Sequence, residues 1–363
     1  MQIFLVVLIS IGAYSYYFLD KPVFGKLPSG ARLERIKKSP NYVNGSFVNL
    51  EETPNFAPGI NTLDAAKTFL NKPKNTEPSV ALPAVKTNLF TLDTSVAQII
   101  WFGHSSYYLV IDGIKILVDP VFSGHAAPVS FFAKSFAGTD VYQASDFPDI
   151  DVLILTHDHY DHLDHETLMA LDGKYKRIVT SLGVGEHLES WGIDPAIITE
   201  LDWWEETALV QAGGIKLTAA PSRHFSGRKF GRNQSLWSAF VLQTPSHRLF
   251  LGGDSGYGKH FKDIGKRFGP FDLALLECGQ YNAMWPYIHM MPEEVVKAQI
   301  DLQAKVLMPV HWAKFSLAMH PWNESITRLK TEAAAKQQSL TTPRIGEPVL
   351  LGKHYPDSVW WNF

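Results

Sequence analysis

The stretch Thr156-His157-Asp158-His159-Tyr160-Asp161-His162-Leu163-Asp164 decides the reading of this chain, because three imidazoles and the Asp161 carboxylate fall within one short turn. It follows the apolar, strand-like residues 152–155 and precedes Asp164, which fits the cap of a helix over 164–171. A loop leaving a strand can aim His157 and His159 at one point and Asp161 and His162 at a neighbouring one, so the spacing suits two metal ions. The alternative is a polar loop whose histidines are solvated or cap the helix. Company elsewhere in the chain argues against it: His224 follows an apolar run ending at Ala220, Asp254 follows residues 249–253, and His311 follows residues 306–310. Each stands just past a strand-like segment, where ligands converge on a sheet edge and rigid backbone fixes their aim. His187, His260 and His354 stand alone in the sequence and receive no role. Cys278 is the only cysteine, so any metal rests on histidines and carboxylates.

Outward from this turn, strand-like residues 98–101, 107–111 and 114–118 open the body, the last two flanking Asp112-Gly113, a two-residue hairpin signal. Further strands are expected at 215–219, 237–242, 248–251, 273–276 and 306–308, and helices at 184–191, 259–268, 292–303 and 321–335. Hydrophobic residues at 45% against 19% charged allow a substantial core, and a net charge of -3 without a basic stripe excludes nucleic acid as an expected partner.

Residues 3–19 form an almost unbroken apolar run, near the lower limit of the roughly 17 to 25 residues that cross a bilayer as a helix. Lys21, Lys26, Arg32, Arg35, Lys37 and Lys38 follow it and no basic side chain precedes Ile3, which predicts a single-pass anchor with the body on the cytoplasmic side. Export after cleavage near Ala13 or Ser15 is the alternative. The expected organisation is an anchor at 1–20, a basic juxtamembrane arm and linker at 21–95, and a catalytic domain at 96–363. Within the arm, Asp64 could cap a short helix to Leu70, with Leu63, Phe69 and Leu70 on its inner side.

The metal turn, Gly252-Gly253-Asp254 and the late His311 resemble the metallo-β-lactamase superfamily. Trp101-Phe102-Gly103-His104-Ser105, Val118-Asp119-Pro120-Val121-Phe122, Pro221-Ser222-Arg223-His224-Phe225, Tyr287-Ile288-His289-Met290-Met291-Pro292-Glu293-Glu294 and Pro309-Val310-His311-Trp312 are most similar to its N-acyl-phosphatidylethanolamine-hydrolysing phospholipase D branch and that branch's bacterial relatives. The resemblance implies an α/β fold, a four-layer αββα sandwich of two mixed β-sheets flanked by helices, here with an added N-terminal hydrophobic helix. It implies that His157, His159 and His224 hold one metal, Asp161, His162 and His311 the other, and that Asp254 bridges them. Asp119 would hold a ligand imidazole in one tautomer. Two Zn²⁺ suit such ligands, and iron or manganese could replace them.

The function so implied is that of a dinuclear-metal-dependent hydrolase that attacks through a metal-bridging hydroxide, with Asp161, Asp254 and His289 at the reacting centre. His289 is read equally as a contact to substrate phosphate or as a helix-start residue before Pro292. A membrane phospholipid, met through the N-terminal segment, is the expected substrate. A soluble ester, lactone or phosphodiester is the alternative, and a membrane-anchored binding protein without turnover is a third reading. Phe131, Phe132 and Phe136 discriminate: exposed on a lip they favour lipid, buried they favour a soluble substrate.

Overall fold

Alternation in the opening strands divides their side chains between two cores. In the computed structural model, which describes residues 17–209 and 214–363, Ile99 and Trp101 face one core and Ile100 and Phe102 the other. A strand buried on both faces favours apolar residues on each, as β1 (Gln98–Trp101) and β2 (Tyr107–Ile111) show, and the one buried amide, Gln98, donates to Asp93 O at 2.8 Å. Ile111 pairs directly with Ile114 of β3 (Ile114–Val118), and Asp112 and Gly113 take φ of 46° and 78°, the positive pair a two-residue turn requires.

The first sheet continues through β4 (Val152–Leu155), β5 (Ile178–Ser181) and β6 (Ile198–Leu201). The second holds β7 (Glu206–Ala208), β8 (Lys216–Pro221), β9 (Ser238–Gln243), β10 (Arg248–Leu251), β11 (Leu273–Glu277), β12 (Val306–Val310) and β13 (Ser339–Leu340). β14 (Pro348–Leu350) returns to the first sheet beside β1. The strand orders are β14-β1-β2-β3-β4-β5-β6 and β13-β12-β11-β10-β9-β8-β7. Each sheet is antiparallel on one side and parallel on the other, so both are mixed.

Helices α1 (Gly30–Ile36) and α2 (Thr62–Leu70) belong to the N-terminal arm. α3 (His165–Ala170) and α4 (Gly185–Ser190) supply Leu168 and Leu188 to the core outside the first sheet. α5 (His260–Phe268), α6 (Pro292–Leu302) and α7 (Glu324–Ala335) supply Ile264, Val295 and Leu329 to the main core. Asp164 accepts the Glu166 N–H at the start of α3, and Pro292 occupies the first turn of α6, where its missing N–H costs nothing. The architecture is thus an α/β sandwich with helices on the outer face of two mixed sheets.

Two expectations in the N-terminal region fare differently. Of the apolar run at 3–19, residues 3–16 lie outside the described residues, and among those described no helix is long and apolar enough to cross a membrane. α2 starts earlier than expected: Asn61, not Asp64, caps it, accepting from the Leu63 and Asp64 N–H groups while Asp64 accepts the Asn61 N–H. Leu63 and Leu70 are 62% and 83% exposed, so they do not form an inner face. Helical period alone gives the apolar side of a helix, not whether anything packs on it.

Candidate metal centre

The parallel halves of both sheets end at one place. Asp119 follows β3, His157 to His162 follow β4, Asp254 follows β10, Glu277 closes β11 and His311 follows β12. His104, Asp119 and His311 take φ of 51°, 40° and 65°. A non-glycine residue there stores of order 1 to 3 kcal/mol, which the surrounding bonds must hold. His311 N donates to His104 O at 2.8 Å and His104 N to Trp312 O at 2.9 Å, so two of these turns lock each other.

Two groups of four donor residues result, each with its ligand atoms within 4.8 Å of one another, His157, His159, His224 and Asp254 in one and His104, Asp161, His162 and His311 in the other, and a third of Asp254, His289 and His311 overlaps both. Asp254 stands between them. Its Oδ2 is 3.9 Å from His157 Nε2 and 3.6 Å from His224 Nε2, while Oδ1 is 3.2 Å from His162 Nε2 and 3.1 Å from His311 Nδ1. Asp161 Oδ2 lies 3.7 Å from His162 Nε2 and 4.0 Å from His311 Nε2. All seven residues expected from the sequence as ligands therefore meet in one place, and His104 joins them.

Whether these residues fit metal ions can be judged from atoms left without partners. His162 Nε2 and Asp254 Oδ1 are buried without a hydrogen bond although they face each other. His157 Nε2 and His224 Nε2 both converge on His159 Nδ1, at 2.9 and 3.2 Å. Converging lone pairs are costly to bury unless cations share them, and imidazole with carboxylate is a donor set that suits zinc, iron or manganese. The residues fit.

The surroundings fix ring orientation. His224 Nδ1 donates to Ile288 O at 2.8 Å, leaving Nε2 to the cluster. His162 Nδ1 lies 2.7 Å from Asp119 Oδ2, and Asp119 also accepts from Thr156 N and Thr156 Oγ1 at 2.8 and 2.6 Å. Burial pushes the His157, His224 and His311 rings well below the usual imidazole range, toward the neutral form a ligand needs. Burial opposes ionisation of Asp254, but the facing His162 outweighs it and holds the carboxyl well below the ordinary range, and Asp254 with Asp161 in turn raises the His162 ring against its own burial.

Some functional neighbours received no role from the sequence. His104 Nε2 is 3.0 Å from Asp161 Oδ2, and its position in a Gly-His-Ser turn after a strand was a usable signal. Glu277 faces His289, whose ring centroid lies 5.0 Å from that of His224 and 5.4 Å from that of His311. His289 thus sits beside the donor groups, ahead of α6 rather than within it. His187, given no role, is buried with Nε2 3.3 Å from Asp158 Oδ2. His260 is buried against Ser255, whereas His354 is exposed.

Comparison with known proteins agrees with this geometry. Residues 115–312 match the family described as "Beta-lactamase superfamily domain". An uncharacterized protein of Mycobacterium tuberculosis is 39% identical over 323 residues, 86% of this chain and 85% of that one. The mitochondrial N-acyl-phosphatidylethanolamine-hydrolyzing phospholipase D of Saccharomyces cerevisiae is 36% identical over 226 residues, 60% of this chain and 48% of that one. Among solved structures, a metallo hydrolase from the hyperthermophilic archaeon Ignicoccus hospitalis superposes with a TM-score of 0.54 at 19% identity, covering 70% of this chain and 97% of the other, a likeness of fold. With its donor groups gathered where the two sheets meet, this chain belongs to the metallo-β-lactamase superfamily, among relatives that include phospholipases D of the N-acyl-phosphatidylethanolamine type.

Proposed function

We propose that the protein hydrolyses a phosphodiester bond of a membrane phospholipid at a dinuclear, zinc-type centre. His157, His159 and His224 would hold one ion, Asp161, His162 and His311 the other, with Asp254 between them. The observation that carries this reading is the Asp254 carboxylate, one oxygen toward His157 and His224 and the other toward His162 and His311. Bound there, two ions supply an acidified water and neutralise charge on the reacting phosphate. The chain's own part is to orient the rings through Asp119 and Ile288 O, and to present His289 to a phosphate oxygen with Glu277 behind it.

The lipid assignment is supported by the lip. Phe131 is 77% and Phe132 48% exposed, beside Lys72 and Lys134. Exposed aromatics next to ammonium groups suit a phospholipid surface. The soluble-substrate reading draws on Phe136, which is buried and packs edge-on against Trp322, so the lip is narrower than the sequence suggests. The lipid reading also keeps residues 1–20 as a membrane anchor with a cytoplasmic body, which protease protection in sealed vesicles would check.

The test is metal analysis of the purified, detergent-solubilised chain, followed by hydrolysis of N-acyl phosphatidylethanolamine against bis-p-nitrophenyl phosphate. Two metals with lipid turnover are expected. Two metals with only the small diester cleaved would move the assignment to a soluble substrate, and a folded protein that takes up no metal would end it.

A further inference from the structure

Arg228 is 2% exposed and spends its donors on backbone carbonyls. Its Nη1 donates to Asp158 O at 2.7 Å and Leu163 O at 2.8 Å, on either side of His159, Asp161 and His162 in the ligand loop. Its Nη2 and Nε donate to Val23 O at 2.6 and 3.2 Å, and its guanidinium lies 4.1 Å over the Tyr160 ring, inside the same loop. A buried cation is tolerated only while its donors are satisfied. Val23 lies in the N-terminal arm, so the arm supplies what lets Arg228 hold both ends of the loop.

A second path reaches the same residue. Lys26 N donates to His187 Nδ1 at 3.0 Å, which leaves the ring proton on Nε2, facing Asp158 Oδ2. Asp158, between His157 and His159, also accepts from Ser235 Oγ and Gly227 N, each at 2.7 Å. Trp191 Nε1 donates to Pro22 O at 2.7 Å and so secures the start of the turn. Gly25 allows the close approach: its φ is 60°, and a Cβ there would stand 2.1 Å from His187 Nδ1.

We propose that the turn at residues 22–26 is a seat for the ligand loop, and that Arg228 and His187 are positioning residues through which its docking sets how firmly the loop retains metal. This rests on the reading of the loop as part of a metal centre. The turn reaches the loop through its backbone groups and through Phe24, whose ring meets that of Tyr160 edge-on at 6.4 Å between centroids. Outer partners of metal ligands typically set affinity by about 10- to 100-fold.

The experiment uses the full chain in detergent, loaded with zinc, and follows transfer of the metal to a chromophoric chelator together with thermal unfolding of loaded and metal-free protein. Gly25→Ala drives a methyl group into His187, and Trp191→Phe removes the bond to Pro22 O while keeping an aromatic ring beside His187 and under Arg228, a milder variant should the first fail to fold. Gly30→Ala, at φ 54° with nothing within 4 Å of the added Cβ, is the control for backbone strain. Gly25→Ala and Trp191→Phe are expected to release zinc about tenfold faster, with a smaller metal-induced rise in Tm, and Gly30→Ala at the wild-type rate. Wild-type release from both test variants, with loaded and metal-free Tm lowered equally, would make the turn a plain strap and overturn the proposal alone. A wild-type protein that binds no zinc would overturn the metal-centre reading with it.

Discussion

Glu277 Oε1 lies 3.4 Å from His289 Nδ1 and accepts the Met290 N–H at 2.8 Å. Burial pushes the Glu277 carboxyl up to about 7. Burial also opposes the charged form of His289, but Glu277 outweighs it and raises the ring above the ordinary imidazole range. The carboxylate therefore orients the ring from behind. His289→Ala is expected to lower kcat by about 100-fold, and Glu277→Gln by about tenfold, with metal content unchanged in both. Steady-state kinetics and metal analysis on the same preparations check this. Loss of metal from His289→Ala would make His289 a ligand, an option its donor atom leaves open beside Asp254 and His311.

Asp119 and His162 form the closest imidazole–carboxylate pair at the centre, at 2.7 Å. Removing the carboxylate frees the ring to rotate and leaves the Thr156 donors without an acceptor. Asp119→Ala is expected to weaken metal binding by about 10- to 100-fold, measured by chelator competition. Unchanged affinity would show that His162 is held by its packing alone.

His260 gives a pH dependence with a definite sign. Burial, with Arg223 nearby, pushes its ring from 6.5 down to about 3. The unfolded chain thus binds the proton first as pH falls. The stability contribution is complete above about 6.5 and is lost toward pH 3, by up to about 1.4 kcal/mol per pH unit. Urea unfolding of metal-loaded protein from pH 7 to pH 4 should show a shallower slope in His260→Asn than in wild type, by about one proton. Equal slopes would mean that His260 already carries its proton in the fold.

Phe131 tests the lip. Being 77% exposed, its replacement by Ser should change stability by no more than about 0.5 kcal/mol. Withdrawing one aromatic ring from a bilayer costs about 1.5 kcal/mol or more, so KM for phospholipid vesicles should rise roughly tenfold while bis-p-nitrophenyl phosphate turnover stays constant. Vesicle kinetics unaffected by Phe131→Ser would place lipid entry elsewhere.

Elements announced by local chemistry were legible in the sequence. Asp112-Gly113 turns where its positive φ values allow, Pro292 starts α6, and Asp164 caps α3. The seven residues read as ligands are recognisable because each comes after a strand, and parallel strands deliver the residues beyond their ends to one edge. β5 and β6 escaped because residues 178–181 and 198–201 are short and mix Thr, Ser and Glu with isoleucine. Glu277 escaped because it ends a strand as any boundary carboxylate might, and only the return of His289 gives it a partner. Arg228 and His187 take their meaning from an arm some 160 to 205 positions away, a distance no local pattern carries.

The place of β14 has a consequence for how the chain is made. Ile99 in β1 is paired with Val349, 250 positions further on, so the hydrogen-bonding edge of β1 stays uncovered until β14 has been made. Unpaired apolar edges recruit other strands, and contacts between segments far apart in sequence form slowly. During synthesis, β1 must wait with that edge uncovered, and loss of β14 alone would leave it open to foreign strands although every residue read as a metal ligand precedes β14 in the sequence.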